Sequence, residues 1–525
     1  MFDHNHVWQD WLAARAAASP QKLALIFGKE QWKYGELNTA VSHLTAHLYQ
    51  QGICPGDFVA VLLPNSPLYV CLVHALARLG AVLVPLNTRL TPAELQWQID
   101  HVAAKWLVTA EKNSEIMNCE QLIMTDKWLQ GDAPFPIPHS PFTTHNLQAI
   151  VFTSGTSGRP KGAMLTFANH FYSAMASAYR LGVLPYDRWL SVLPLYHVGG
   201  LAVVFRSCLY GTAVILHPRF QLDTINASLD HDTPTLISVV PTMLYRLLQS
   251  RSHWPASLRL ILLGGAAATP ELVARANGLP RAMDSDQYSV FSGQQKLNTD
   301  NRLLNTALIA PTYGLTEAAS QVATMPPEEA VYKPGSVGKP LLFTSVKIVG
   351  EDGASLPPGE IGEIVVTGPT VMAGYWQQPT VNSQQLTVNG LRMTDDGLPN
   401  ALHTGDLGYL DDEGDLWVVQ RRSDLIVSGG ENVYPAEVEE VLRGHTAVLE
   451  ACVVGVPHPE WGQQVAAMVQ LQPGQVVTED ELLAFSRERL AGYKQPRLLR
   501  FVAELPRTAS GKIARQQVAE MMADG

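Results

Sequence analysis

Over residues 153–162 the chain reads Thr-Ser-Gly-Thr-Ser-Gly-Arg-Pro-Lys-Gly, entered from an apolar run at 149–152 and left towards a helical segment. Residue types of this kind can hold a polyphosphate. Gly155, Gly158 and Gly162 can take positive φ and turn backbone N–H groups outward, while Thr153, Ser154, Thr156 and Ser157 offer hydroxyls and Lys161 a positive charge. It is not a Walker A loop, in which Ser or Thr directly follows the lysine; here Pro160 precedes Lys161 and Gly162 follows it. A plain Gly/Ser/Thr/Pro linker has the same composition, so the stretch by itself leaves both readings open.

Five further stretches bear on that choice. Tyr313, Gly314, Thr316 and Glu317 fall within five residues. They combine a ring that can stack on a purine, room for close approach, a hydroxyl for phosphate and a carboxylate for Mg²⁺. A glycine turn before a capped helix reads the same way. Asp406, closing His-Thr-Gly-Asp at 403–406, can accept from both hydroxyls of a ribose, and Arg421 adds fixed donors about one hairpin later. A surface ion pair is the alternative for either. Gly429 and Gly430, in Ser-Gly-Gly-Glu-Asn-Val-Tyr-Pro at 428–435, allow something narrow to pass close to backbone. Lys512 stands among small residues near the end of the chain, which suits a mobile lysine delivered to a site elsewhere, or a merely exposed one.

Positioning groups so far apart in sequence takes a large framework. The chain has 525 residues, 46% of them hydrophobic and 16% charged, enough for two or more domains. Apolar runs at 57–63, 237–240 and 258–263 alternate with helical patterns, which predicts mainly parallel α/β sheets. Beyond residue 334 short strands separated by turn residues predict an antiparallel β subdomain, with 411–415 as a hairpin turn. A last α/β region follows residue 421, its helix beginning at Pro435. The polar stretch 278–305 breaks the rhythm and reads as a surface excursion.

A net charge of −11 and the lack of any Lys/Arg block argue against nucleic acid or an anionic membrane as partner and favour small molecules. The most membrane-like stretch, 68–86, carries His74 and Arg78 and reaches Gly80 and Pro85, so it reads as a buried helix followed by a strand. Five scattered cysteines without a metal spacing, and an N-terminus without a secretory pattern, fit a reducing cytoplasm.

Taken in order, the six stretches resemble the adenylate-forming superfamily, the AMP-producing acyl-CoA synthetases with the luciferases and peptide-synthetase adenylation domains. The likeness runs from about residue 34 to 515. It implies a large N-terminal domain of α/β layers plus a β subdomain, residues 1–421, and a small mobile C-terminal α+β lid, residues 422–525, hinged near Ser423. It implies ATP, Mg²⁺ and coenzyme A, with residues 153–162 on the β- and γ-phosphates, Tyr313 on adenine, Thr316 on the α-phosphate and Glu317 on Mg²⁺. Asp406 and Arg421 would bind ribose, Gly429 and Gly430 would border the pantetheine channel, and Lys512 would meet the acyl carboxylate and α-phosphate. Gly264, Gly265, Ala266 and His197 would lie at the acyl substrate, His197 orienting the carboxylate or gating the site. A buried packing histidine is the competing account of His197.

Ser423 departs from the Asp or Lys of many members. With the stretches 193–201 and 209–217, it is similar to one branch, the o-succinylbenzoate-CoA ligases of menaquinone and phylloquinone synthesis. Another aryl or medium-chain acyl-CoA ligase, or an enzyme loading a carrier protein, would share the motifs. o-Succinylbenzoate keeps a second carboxylate after activation, so its pocket needs a fixed donor or cation, for which Arg206 is the first candidate and Arg246 the second.

Overall fold

Ser66 and Pro67 show how the chain lays down its framework. Ser66 Oγ accepts from the amide of Tyr69 at 3.2 Å, Pro67 takes the first helical position, and helix Pro67–Leu79 runs until Gly80 ends it at φ 74°. Every residue of this helix is buried, and Val82–Pro85 follows as a buried strand. Arg78 survives there because Asp10, Ser42 and Asn38 take its guanidinium. No helix among the described residues is long and apolar enough to cross a membrane.

The computed structural model describes residues 7–8, 10–131, 142–143, 146–153, 160–266, 268–281, 308–377, 401–420, 425–507 and 513–523. The excursion expected at 278–305 lies mostly outside them. Two mixed sheets dominate. One has six strands in the order Lys161–Thr166, Leu147–Thr153, Val82–Pro85, Phe58–Leu62, Trp106–Thr109 and Glu120–Ile123. The other has eight, in the order Ser320–Thr324, Ile309–Leu315, Leu260–Leu263, Leu236–Val239, Arg188–Ser191, Ala213–Leu216, Leu23–Phe27 and Glu30–Lys33. Their central strands run parallel, and Val82–Pro85, Trp106–Thr109, Ala213–Leu216, Leu236–Val239 and Leu260–Leu263 are wholly buried. One core joins Val59, Leu83 and Val108 of the first sheet to Leu216, Leu236 and Leu262 of the second through helices Pro67–Leu79 and Val198–Tyr210, which lie between them.

The β subdomain is an antiparallel sheet of Ser345–Val349, Gly362–Thr367, Ala401–Leu410 and Leu416–Gln420. Its turn at 411–415 closes around Lys333, whose ammonium meets Asp411, Glu413 and Asp415. The C-terminal region packs helices Pro435–Arg443 and Glu479–Arg487 on a sheet of five strands, with its own core around Val438, Leu442, Val453 and Val465.

Candidate active site

Parallel strands of both large sheets end at one cavity of about 670 Å³, the crevice in which α/β sheets commonly bind ligands. Asn65 follows Phe58–Leu62, Arg89 lies a few residues beyond Val82–Pro85, and Leu193, Val240 and Gly264 follow strands of the second sheet; all are on the cavity wall. Asn65 ties the sheets together, since its amide donates to the carbonyls of Leu193 and His217 and accepts from the Leu195 N–H. Nothing local in the sequence marks it.

Thr153 ends its strand opposite Lys161, which begins the antiparallel partner. The glycine-rich stretch is therefore the connection of a hairpin, and helix Phe167–Leu181, where the sequence places it, follows the second strand. Five of the six residues 161–166 are buried, and a Cβ on Gly162 would come within 2.7 Å of Ile150. Ser154, Gly155, Thr156, Ser157 and Gly158 lie outside the described residues. The two ends of the connection meet Glu317 and its partner Tyr375. Glu317 Oε1 accepts from Thr153 Oγ1 at 3.2 Å and from Tyr375 Oη at 2.7 Å, and the buried Lys161 ammonium lies 5.2 Å from the centre of the Tyr375 ring. Thr316 and Glu317 form a short 3-10 turn on the cavity wall.

Tyr313 Oη donates to Asp406 Oδ2 at 2.7 Å, joining two motifs 93 residues apart. The turn before Asp406 is set by Glu363, which takes the Gly405 N–H and pairs with His403, each at 2.9 Å. Gly314 answers to packing, because a Cβ there would sit 2.0 Å from the Ser320 carbonyl oxygen. Arg421 lies outside the described residues.

His197, also on the cavity wall, stands just before helix Val198–Tyr210, which carries Arg206. Arg206 is 2% exposed and lines the cavity. One Nη donates to Ser173 Oγ at 3.2 Å, Nε has no protein partner, and no carboxylate among the described residues pairs with it. Burial pulls its pKa down from the ordinary guanidinium value. Arg246 is exposed on helix Pro241–Ser250 and stacks over Phe220, so of the two arginines only Arg206 is set into the wall. Gly264 and Gly265 border the cavity and Ala266 continues their turn; a Cβ on Gly264 would meet Thr312 at 2.6 Å.

His170 packs against Phe205 beside Arg206, and burial, reinforced by the Arg206 charge, holds its pKa down to about 3. The sign follows directly. Below pH 6.5 the unfolded chain takes up a proton that the folded imidazole refuses, so stability is full above that pH and falls as acid is added, by roughly 1.4 kcal/mol per pH unit. His170→Gln is therefore expected to lose about 2 kcal/mol less than wild type between pH 7 and 5 in denaturant titrations. Equal losses would show that His170 is protonated in the fold.

The last wall comes from the C-terminal region. Strands Ile426–Ser428 and Glu431–Val433 form a hairpin whose two-residue tip is Gly429–Gly430, with φ of 59° and 86°. Positive φ at both positions is what a type I′ turn requires, so the turn itself demands the paired glycines. The tip rests on the large domain, where a Cβ on Gly430 would lie 2.9 Å from Val240. Next to it Glu431 pairs with Arg89 at 3.0 Å and with His197 Nε2 at 3.1 Å. Burial pushes the Glu431 carboxyl up, but His197 and then Arg89 outweigh it and hold the pKa down to about 2. His197 is thus half-exposed and polar-partnered, which disfavours the packing account. Sequence reasoning gave Glu431 and Arg89 no role; Glu431 sat inside a motif already singled out. Ser423 and Lys512 lie outside the described residues.

Comparison with known proteins agrees with this layout. The model of the AMP-binding enzyme family matches residues 12–284 and 292–376, and that of the AMP-binding enzyme C-terminal domain matches 437–512. A 2-succinylbenzoate–CoA ligase from Bacillus licheniformis is 40% identical over 97% of this chain and 99% of its own length. The o-succinylbenzoate CoA synthetase of Bacillus subtilis, as a double mutant bound with its product analogue OSB-NCoA, aligns with a TM-score of 0.86 at 36% identity, covering 98% of this chain and 99% of that one. The same enzyme with ATP and magnesium aligns at 0.70, with equal identity and coverage. The chain belongs to the AMP-binding, adenylate-forming enzyme family, on the branch of its 2-succinylbenzoate–CoA ligases.

Proposed function

We propose that this chain is an ATP-dependent ligase that adenylates o-succinylbenzoate and transfers the acyl group to coenzyme A, releasing pyrophosphate and then AMP. The observation that carries the substrate is Arg206, a buried guanidinium without a carboxylate partner among the described residues, on the wall of the cavity that the nucleotide motifs also line. A substrate with a retained carboxylate supplies the missing anion; a fatty acid or benzoate does not.

In the first step a carboxylate oxygen attacks the α-phosphorus of ATP and the bond to pyrophosphate breaks. Residues 153–162 hold the β- and γ-phosphates, Tyr313 packs on adenine, Thr316 contacts the α-phosphate, and Asp406 with Arg421 binds ribose. Glu317 suits Mg²⁺, because a buried carboxylate tied to the phosphate stretch through Thr153 is the single protein anion that Mg²⁺ on a nucleotide commonly takes. When bound, the ion offsets charge on the phosphate oxygens. Lys512 approaches the same oxygens from the lid. In the second step the coenzyme A thiol enters past Gly429 and Gly430, attacks the acyl carbon and expels AMP. Residues 1–421 and 422–525 act as separate bodies joined near Ser423. The reaction belongs in the cytoplasm, where ATP and reduced coenzyme A are at hand.

Pyrophosphate release across a panel of acids, with and without coenzyme A, tests this reading. The wild type is expected to favour o-succinylbenzoate strongly over benzoate and octanoate. Arg206→Ala should raise KM for the diacid by about 10- to 100-fold, the worth of a charge-assisted hydrogen bond, and leave monoacid KM values nearly unchanged. Equal effects on both would remove Arg206 from the substrate.

A further inference from the structure

Away from the cavity, the C-terminal region meets the large domain at a second cluster of charges. The Lys494 ammonium lies 2.7 Å from Glu94 of the large domain and 2.7 Å from Glu437 of its own. Lys494 and Glu437 are both buried, and Glu94 nearly so, with side-chain exposures of 4, 9 and 12%. The Ala491 N–H also donates to Glu94, at 3.1 Å. Burial works against the ammonium, yet the two carboxylates hold its pKa above the ordinary value.

This cluster outweighs the contact at the cavity mouth. Arg89 and His197 are 48% and 41% exposed where they meet Glu431, and exposed pairs are weak because water screens them. A buried pair loses far more when one partner goes.

Each charge also has a partner that does not depend on how the domains are apposed. Glu94 closes the capping box of helix Pro92–His101, its Oε2 taking the Thr91 N–H and Oγ1 at 2.8 Å each. Lys494 has Glu437 beside it. Separating the domains therefore strands neither charge, which is what a contact made and broken in every turnover requires.

We infer that Glu94 and Lys494 form the latch that holds the C-terminal region in the arrangement used for thioester formation, as positioning residues for that half-reaction. The inference rests on the proposed two-step ligase chemistry. Its support is that the pair exists in the apposition seen here, with the Gly429–Gly430 tip against Val240, and that this apposition matches the product-analogue complex at a TM-score of 0.86 against 0.70 for the ATP complex of the same enzyme.

Glu94→Gln tests it in the full-length enzyme. Glutamine serves in a capping box as glutamate does, so the helix is kept while the charge on Lys494 loses its cross-domain partner. The pyrophosphate burst from ATP and o-succinylbenzoate without coenzyme A is expected to stay within about twofold of wild type, while thioester formation from supplied o-succinylbenzoyl-AMP falls about tenfold or more. An unchanged melting temperature accompanies that result. A thioester step within twofold of wild type, or equal slowing of both steps, overturns the latch. If the wild type itself fails to convert this adenylate, the substrate reading falls instead, and the same comparison is made with whichever acyl-AMP it does convert.

Discussion

Gly430→Val is expected to abolish thioester formation while leaving adenylation within about threefold of wild type. Two independent costs fall on the variant. Gly430 sits at φ 86°, where a β-branched residue is strained by roughly 1–2 kcal/mol. Its Cβ would also lie 2.9 Å from Val240, and a valine there has little freedom to move aside. Overpacking of this kind costs about 1–3 kcal/mol. The strain belongs to the hairpin in any arrangement, whereas the clash exists only while the tip faces Val240. Together with the bulk placed at the proposed entry of the thiol, this predicts a loss of about 100-fold or more in the second step. Single-turnover measurements of each half-reaction, the second with synthetic acyl-AMP, decide it. A variant that makes thioester at more than a tenth of the wild-type rate would show that the tip is not on the thiol's path.

Lys512→Ala is expected to do the reverse. A lysine that neutralises charge on the phosphoryl oxygens acts while the carboxylate attacks, and losing one such transition-state contact costs about 100- to 1000-fold. Acyl-AMP already contains the bond that this lysine helps to make, so thioester formation from supplied acyl-AMP should proceed within a few-fold of wild type. The two variants together form a crossed pair. If Lys512→Ala slowed both steps equally, one fixed arrangement would run the whole reaction and a movable lid would have no purpose.

The ordered motifs were legible because each is a local solution to a local demand. Gly80 stops a helix where the apolar pattern ends and Pro435 starts one. The sheets followed from unbroken apolar runs. What stayed hidden depends on residues hundreds of positions apart. Lys494 and Glu94 are 400 residues apart, and Arg89 and Glu431 are 342 apart. Neither member of such a pair differs locally from an ordinary surface charge, and only the fold makes them buried partners. The reason assigned to a glycine was also hard to read. Gly314 appeared to make room for a ligand, but its neighbour is the Ser320 carbonyl. Arg206 stood ahead of Arg246 in the sequence with no local feature to decide between them, and burial separated them.

The cavity has one wall on loan from a different domain: Gly429, Gly430 and Glu431 line it together with residues of both large sheets. A mixed anhydride such as acyl-AMP is lost to hydrolysis if water reaches it before the thiol does. A vessel with a removable side keeps its contents only while that side is in place. The fidelity of the enzyme, meaning thioester made per ATP cleaved, is therefore set by how long the C-terminal region stays seated, and loosening it should show first as futile release of free acid and AMP.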